Sequence, residues 1–128
     1  MTKRELRDKL QNLSGVKDFF IFVLDKYNPK YWGLYYPPVK MIVIYKLKEN
    51  GKPIGENMLV KTCLHELAHH IQFHHVKNYK VKSRHDEMFK KIYADLLVKY
   101  YKGNIPRDIM AEIKKYGLFL EPFKSLKK

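Results

Sequence analysis

His65-Glu66-Leu67-Ala68-His69 decides how this chain is read, because it sets two imidazoles and a carboxylate at the spacing a hydrolytic zinc site requires. A helix turns about 100° per residue, so positions i and i+4 stack on one face and His65 and His69 can close on a single ion. Glu66 lies beside them. There it can take a proton from a water activated by the metal and later hand it to a leaving amine. The flanking residues predict a helix: from Glu56 to Leu64 there is no Pro or Gly, and Val60, Leu64, Leu67 and Ile71 recur at three- and four-residue steps. That stripe is expected to face a core. His65, Glu66 and His69, with Met58, Thr62 and Phe73, then occupy a neighbouring face open to a cleft.

A catalytic zinc commonly has three protein ligands and one open position, so a third ligand is expected downstream. His70 points about 100° away from His69 on a helix and reads as a polar residue at the rim, while His74 is turned off the metal by a continuing helix. His75 has the spacing of the third histidine in HExxHxxGxxH, but Gln72 stands where that pattern uses Gly to turn the chain out of the helix. His85 lies in Lys82-Ser83-Arg84-His85-Asp86-Glu87-Met88-Phe89. Ser83 followed by Asp86 resembles a capping box, which predicts a helix from about Arg84 to Tyr101 with His85 in its first turn. Glu87 is a carboxylate alternative. Spacing by itself leaves His75, His85 and Glu87 open.

HELAH followed after a polar loop by a histidine heading H-x-x-x-F-K resembles the SprT-like (Spartan-like) zinc metalloproteases. The resemblance runs from the strand near Met41 to the helix ending near Tyr101, about half the chain. It implies a zincin-like fold in which His65, His69 and His85 hold Zn²⁺ and Glu66 is the general base. Asp86 stands where the family typically has Gly after the third histidine, and Phe89 keeps the family's place. Many SprT-like proteins add a four-cysteine zinc ribbon. With Cys63 the single cysteine, that module is expected to be absent.

The 128 residues suit one domain, 1–128, with a core large enough to bury roughly two-thirds of the extended surface. Leu6, Leu10 and Leu13 predict an amphipathic helix within residues 1–16, unlike the basic cap and apolar run of a signal peptide. Phe19 to Leu24 is a short apolar run that suits a strand or a buried helix equally. Residues 28–38 carry Pro29, Pro37 and Pro38 among aromatics and read as a loop without regular pairing. Val39 to Leu47 is the best strand, either with an open edge for an extended peptide or central with both edges paired. Phe89, Ile92, Tyr93, Leu96, Leu97 and Tyr100 form a core face. Ile109, Met110, Ile113 and Tyr116 mark a shorter helix before Gly117, and 118–128 is expected to be a mobile tail. The fold class is therefore α+β, an active-site helix beside a small sheet with additional helices.

Charge adds a second statement. Twenty-six basic against thirteen acidic residues give a net charge of +13, a field that attracts polyanions. Lys77, Lys80, Lys82 and Arg84 with Tyr79 are candidate contacts to single-stranded or damaged DNA beside His85. Against this, most of the basic residues are Lys, a solvated point charge that also arises from biased composition. No run reaches the roughly 18 apolar residues of a membrane span, and a lone cysteine suits a reducing compartment, so a cytoplasmic or nucleoid-associated location without membrane is expected. Two function classes compete. One is a zinc endopeptidase acting on protein or peptide substrates, including DNA-bound or DNA-crosslinked proteins. The other is a non-catalytic basic zinc protein that binds nucleic acid or a partner protein, against which Glu66 argues, since metal binding alone does not need that carboxylate.

Overall fold

The computed structural model describes residues 2–117, so Met1 and the tail expected at 118–128 lie outside the described residues. Helix α1, Lys3–Ser14, is held at its start by a reciprocal capping box between Thr2 and Glu5, and Gly15 closes it in the left-handed conformation at φ 72°. Its two buried leucines, Leu6 and Leu10, each contribute about 1.5–3 kcal/mol by leaving water, enough to dock a charged helix on the core.

The apolar run resolves as strand β1, Phe20–Leu24. Strand β2, Gly33–Tyr36, overturns the expectation that prolines keep residues 28–38 from pairing. The prolines flank the strand instead of entering it. Pro37 and Pro38 begin a 3₁₀ turn, Pro37–Val39, where missing N–H groups cost nothing. Lys40 then takes a left-handed conformation, and β3 spans Met41–Tyr45, shorter than the Val39–Leu47 of the sequence reading because Val39 belongs to the turn and Leu47 only bridges Pro53.

The sheet order is β1-β3-β2, with β1 parallel and β2 antiparallel to β3. Strand β3 is therefore central with both edges paired, and β2 supplies an outer edge. Its ladder shows which groups face outward. Trp32 O accepts from Tyr45 N, and hydrogen-bonded pairs alternate along an antiparallel ladder, so Gly33 and Tyr35 direct their N–H and C=O groups away from β3.

Helix α2, Glu56–His74, packs on the sheet through Val60, Cys63, Leu64 and Leu67, against Ile42, Ile44 and Tyr35 in one continuous core. Helix α3, Glu87–Tyr101, closes the other side with Phe89, Tyr93, Leu96 and Leu97. Helix α4, Arg107–Tyr116, enters through Ile109 and Ile113 and stops at left-handed Gly117. The architecture is α+β. Among the described residues no helix is long and apolar enough to cross a membrane.

Candidate metal centre and cleft

Helix α2 carries His65 and His69 one above the other, and their Nε2 atoms lie 3.2 Å apart. His85 comes from the turn before α3 and puts its Nε2 3.2 Å from His65 Nε2. The three ligand atoms all fall within 4.8 Å of one another, an arrangement able to hold a metal ion. His85 is not in a first helical turn. Helix α3 starts at Glu87, and its cap is Asp86, whose carboxylate accepts from Phe89 N at 3.0 Å. An ionised carboxylate is the stronger acceptor there, and Ser83 instead lends its backbone carbonyl to Asp86 N and to Gln72.

Gln72 ties the two segments together. Its Nε2 donates to Ser83 O and to Asp86 Oδ1, both at 3.0 Å, which turns Oε1 toward His69 Nδ1 at 3.1 Å. His69 Nδ1 must then carry the proton, leaving a lone pair on Nε2 toward the cluster. Burial pushes the His69 imidazole down to about 3, with the neighbouring His65 adding to it, so it is neutral. Asp86 also accepts from Lys82 N and from the Tyr79 hydroxyl. These bonds outweigh the upward push of burial and hold it down at about 2.

Glu66 is buried and directs Oε2 to within 4.0 Å of His65 Nε2. Burial pushes its carboxyl up to about 7, opposed in smaller measure by His65 and Arg84. The cleft around the cluster is walled by Tyr31, Gly33 and Tyr35 of the β2 side, by Arg84, and by Tyr116 of α4. Gly33 is required on steric grounds, since a Cβ there would stand 2.7 Å from Thr62 Cγ2 on α2.

The remaining sequence candidates fall elsewhere. His70, read as a rim residue, is fully buried, because Tyr35 from the sheet covers it and bonds its Nδ1 at 2.6 Å. His75 caps α2 and bonds Asp18 at 2.7 Å, and His74 bonds Pro37 O at 3.0 Å, so neither joins the cluster. Glu87 is exposed and pairs with Lys90. Lys77, Lys80 and Lys82 are exposed on the segment leading to His85. Arg84 differs from them: its Nη1 lies 3.4 Å from Tyr35 O and its guanidinium sits over the Phe73 ring, making it part of the cleft wall.

Two residues escaped the sequence reading. Glu112 on α4 is buried, with Oε2 3.8 Å from His65 Nδ1 and accepting from Tyr93 O–H at 2.6 Å. Tyr116, one turn further, sets its ring 5.3 Å from that of His65 and 5.0 Å from that of His85. Their i, i+4 spacing beside Ile109 and Ile113 was visible, but it is the pattern of any amphipathic helix. Comparison of the chain with protein-family models, curated proteins and solved structures returns no match.

Proposed function

We propose that the chain is a zinc-dependent endopeptidase of zincin-like, SprT-like architecture, with His65, His69 and His85 as ligands and Glu66 as general base. The observation that carries this reading is the convergence of three Nε2 atoms. His69 turns its protonated Nδ1 outward to Gln72, so its Nε2 lone pair faces the other two Nε2 atoms, and the Glu112 carboxylate lies 3.8 Å from His65 Nδ1 on the side away from the cluster. A tetrahedral site with zinc–nitrogen bonds of about 2.0–2.1 Å has ligand atoms about 3.3 Å apart, close to the observed spacing. Three neutral imidazoles with a fourth side open toward the cleft favour zinc over hard cations.

When bound, zinc lowers the pKa of a water and polarises the scissile carbonyl. Glu66, beside His65, accepts the proton of the attacking water and returns it to the amine that leaves. Gly33 offers outward N–H and C=O groups and Tyr35 an outward N–H along the same cleft, where an extended peptide can add as a strand and be held by its backbone, with Arg84 on the Tyr35 carbonyl beside it. Recognition of this kind tolerates many side chains. Tyr116, whose ring stands beside His65 and His85 at the cleft, is the residue proposed to steady a developing oxyanion, whereas the Tyr93 hydroxyl is committed to Glu112.

Charge supports DNA-bound or DNA-crosslinked proteins as the substrate class, and with it a cytoplasmic or nucleoid-associated setting. The test combines metal and activity. His65→Ala or His69→Ala should abolish zinc retention at the cleft. Glu66→Gln should keep zinc and fold while lowering peptide hydrolysis by at least about 100-fold. Unchanged hydrolysis in Glu66→Gln would sink the mechanism, and zinc binding indifferent to His65 and His69 would sink the site.

A further inference from the structure

A second set of donors lies outside the cleft. Asp18, in the segment between α1 and β1, directs Oδ1 at two imidazoles, His70 Nε2 at 2.9 Å and His75 Nε2 at 2.7 Å. The three ligand atoms fall within 4.8 Å of one another, the same spread that encloses the cleft cluster. We propose that Asp18, His70 and His75 form a second site for a borderline divalent transition-metal ion such as zinc or nickel.

Each ligand is aimed by something other than the ion. His70 sits on α2 with its ring fully buried, and its Nδ1 is fixed by the Tyr35 hydroxyl at 2.6 Å, so its Nε2 has one direction in which to point. A hydrogen bond to the far ring nitrogen is the usual support of a metal-binding histidine. His75 closes α2 with its N–H bonded to Ile71 O, which sets the ring five residues on from His70 beside the same carboxylate. Lys40 Nζ binds the other oxygen of Asp18, Oδ2, at 3.2 Å and leaves Oδ1 as the donor facing the histidines.

The site is also reachable. The Asp18 and His75 side chains are 43% and 33% exposed, while His70 forms the buried floor. Two imidazoles and one carboxylate oxygen suit zinc, nickel or copper, and exclude magnesium or calcium, which require more oxygen ligands. None of the three residues is shared with the cleft. The ion would join the start of β1, the last turn of α2 and, through the Tyr35 side chain, strand β2, whose backbone lines the cleft. Its role is to brace that edge, not to react.

Metal-free, the same atoms make a satisfied hydrogen-bond triad, so metal counting must decide between ion site and clamp. Zinc and nickel uptake is measured by competition with a chromophoric chelator for wild type, His65→Ala/His69→Ala and His75→Ala, with circular dichroism confirming the fold. Wild type should take up two equivalents and each variant one. Adding His75→Ala or Asp18→Asn to His65→Ala/His69→Ala should remove the last. If His65→Ala/His69→Ala takes up no metal at micromolar free zinc, or if His75→Ala leaves the count unchanged, the triad is a hydrogen-bond clamp only and the proposal falls. Failure of the cleft reading is distinguishable, since His65→Ala/His69→Ala would then match wild type.

Discussion

At His65 the nitrogen pointing away from the cluster faces a carboxylate buried between helices. Burial pushes the Glu112 carboxyl up, but His65, the Tyr93 hydroxyl and the Lys61 ammonium 3.7 Å away outweigh it and hold it at about 2. An ionised acceptor on that side favours the orientation of His65 that leaves Nε2 facing the cluster. Loss of such a partner typically weakens metal binding about 10–100-fold. Glu112→Ala should therefore lower zinc affinity at the cleft by that factor in chelator competition, and Glu112→Gln by less. Because Ala also strands the Tyr93 hydroxyl, Tyr93→Phe serves as the control. Equal affinity in wild type and Glu112→Ala would leave His65 oriented by packing against Phe89 and Tyr116 alone.

Strand β2 is four residues long and depends on one close approach. A side chain at Gly33 would meet Thr62 Cγ2 at 2.7 Å, Ile44 Cδ1 at 3.1 Å and the backbone Val43 O at 3.1 Å. The threonine methyl can move, but the carbonyl is fixed in the ladder to β2 opposite Leu34, so relief must come from shifting the edge strand. Overpacking of this kind costs about 1–3 kcal/mol. Gly33→Val should lower the denaturation midpoint accordingly and raise the KM for a peptide substrate, with zinc affinity unchanged. A variant as stable as wild type would show that β2 yields freely. The turn before α3 has a comparable dependence, since Asp86 caps the helix and anchors Gln72 at once.

Across the whole molecule the excess of cations is spread widely, and the structure separates the four basic residues near His85 by task. Arg84 belongs to the cleft wall, whereas Lys77, Lys80 and Lys82 extend into solvent and form no ion pair among the described residues. Neutralising the three lysines should weaken single-stranded DNA binding and flatten the salt dependence of log K by about 2, at roughly 0.7 per phosphate contact released. Zinc content and peptide hydrolysis without DNA should not change. An unaltered salt slope would mean that the lysines only solvate the surface.

The residues that could be read from sequence are those whose geometry is local. The i, i+4 stacking of His65 and His69, the core stripe of Val60, Leu64 and Leu67, and the glycine stop at Gly117 follow from helix geometry and backbone freedom within a few residues. Composition likewise determined the charge and the single cysteine. Tertiary structure decided everything that depends on contacts between distant segments. His85 reaches the cluster across 20 residues only because Gln72 and Asp86 hold its turn, and Glu112 meets His65 only because α4 folds back over α2. His70 is buried because Tyr35 arrives from the sheet, and β2 pairs because its prolines stand just outside its ladder. Periodicity records which face of an element is apolar. Which element covers that face is set by packing, where a single residue type such as Glu112 carries no local mark of the partner it will meet.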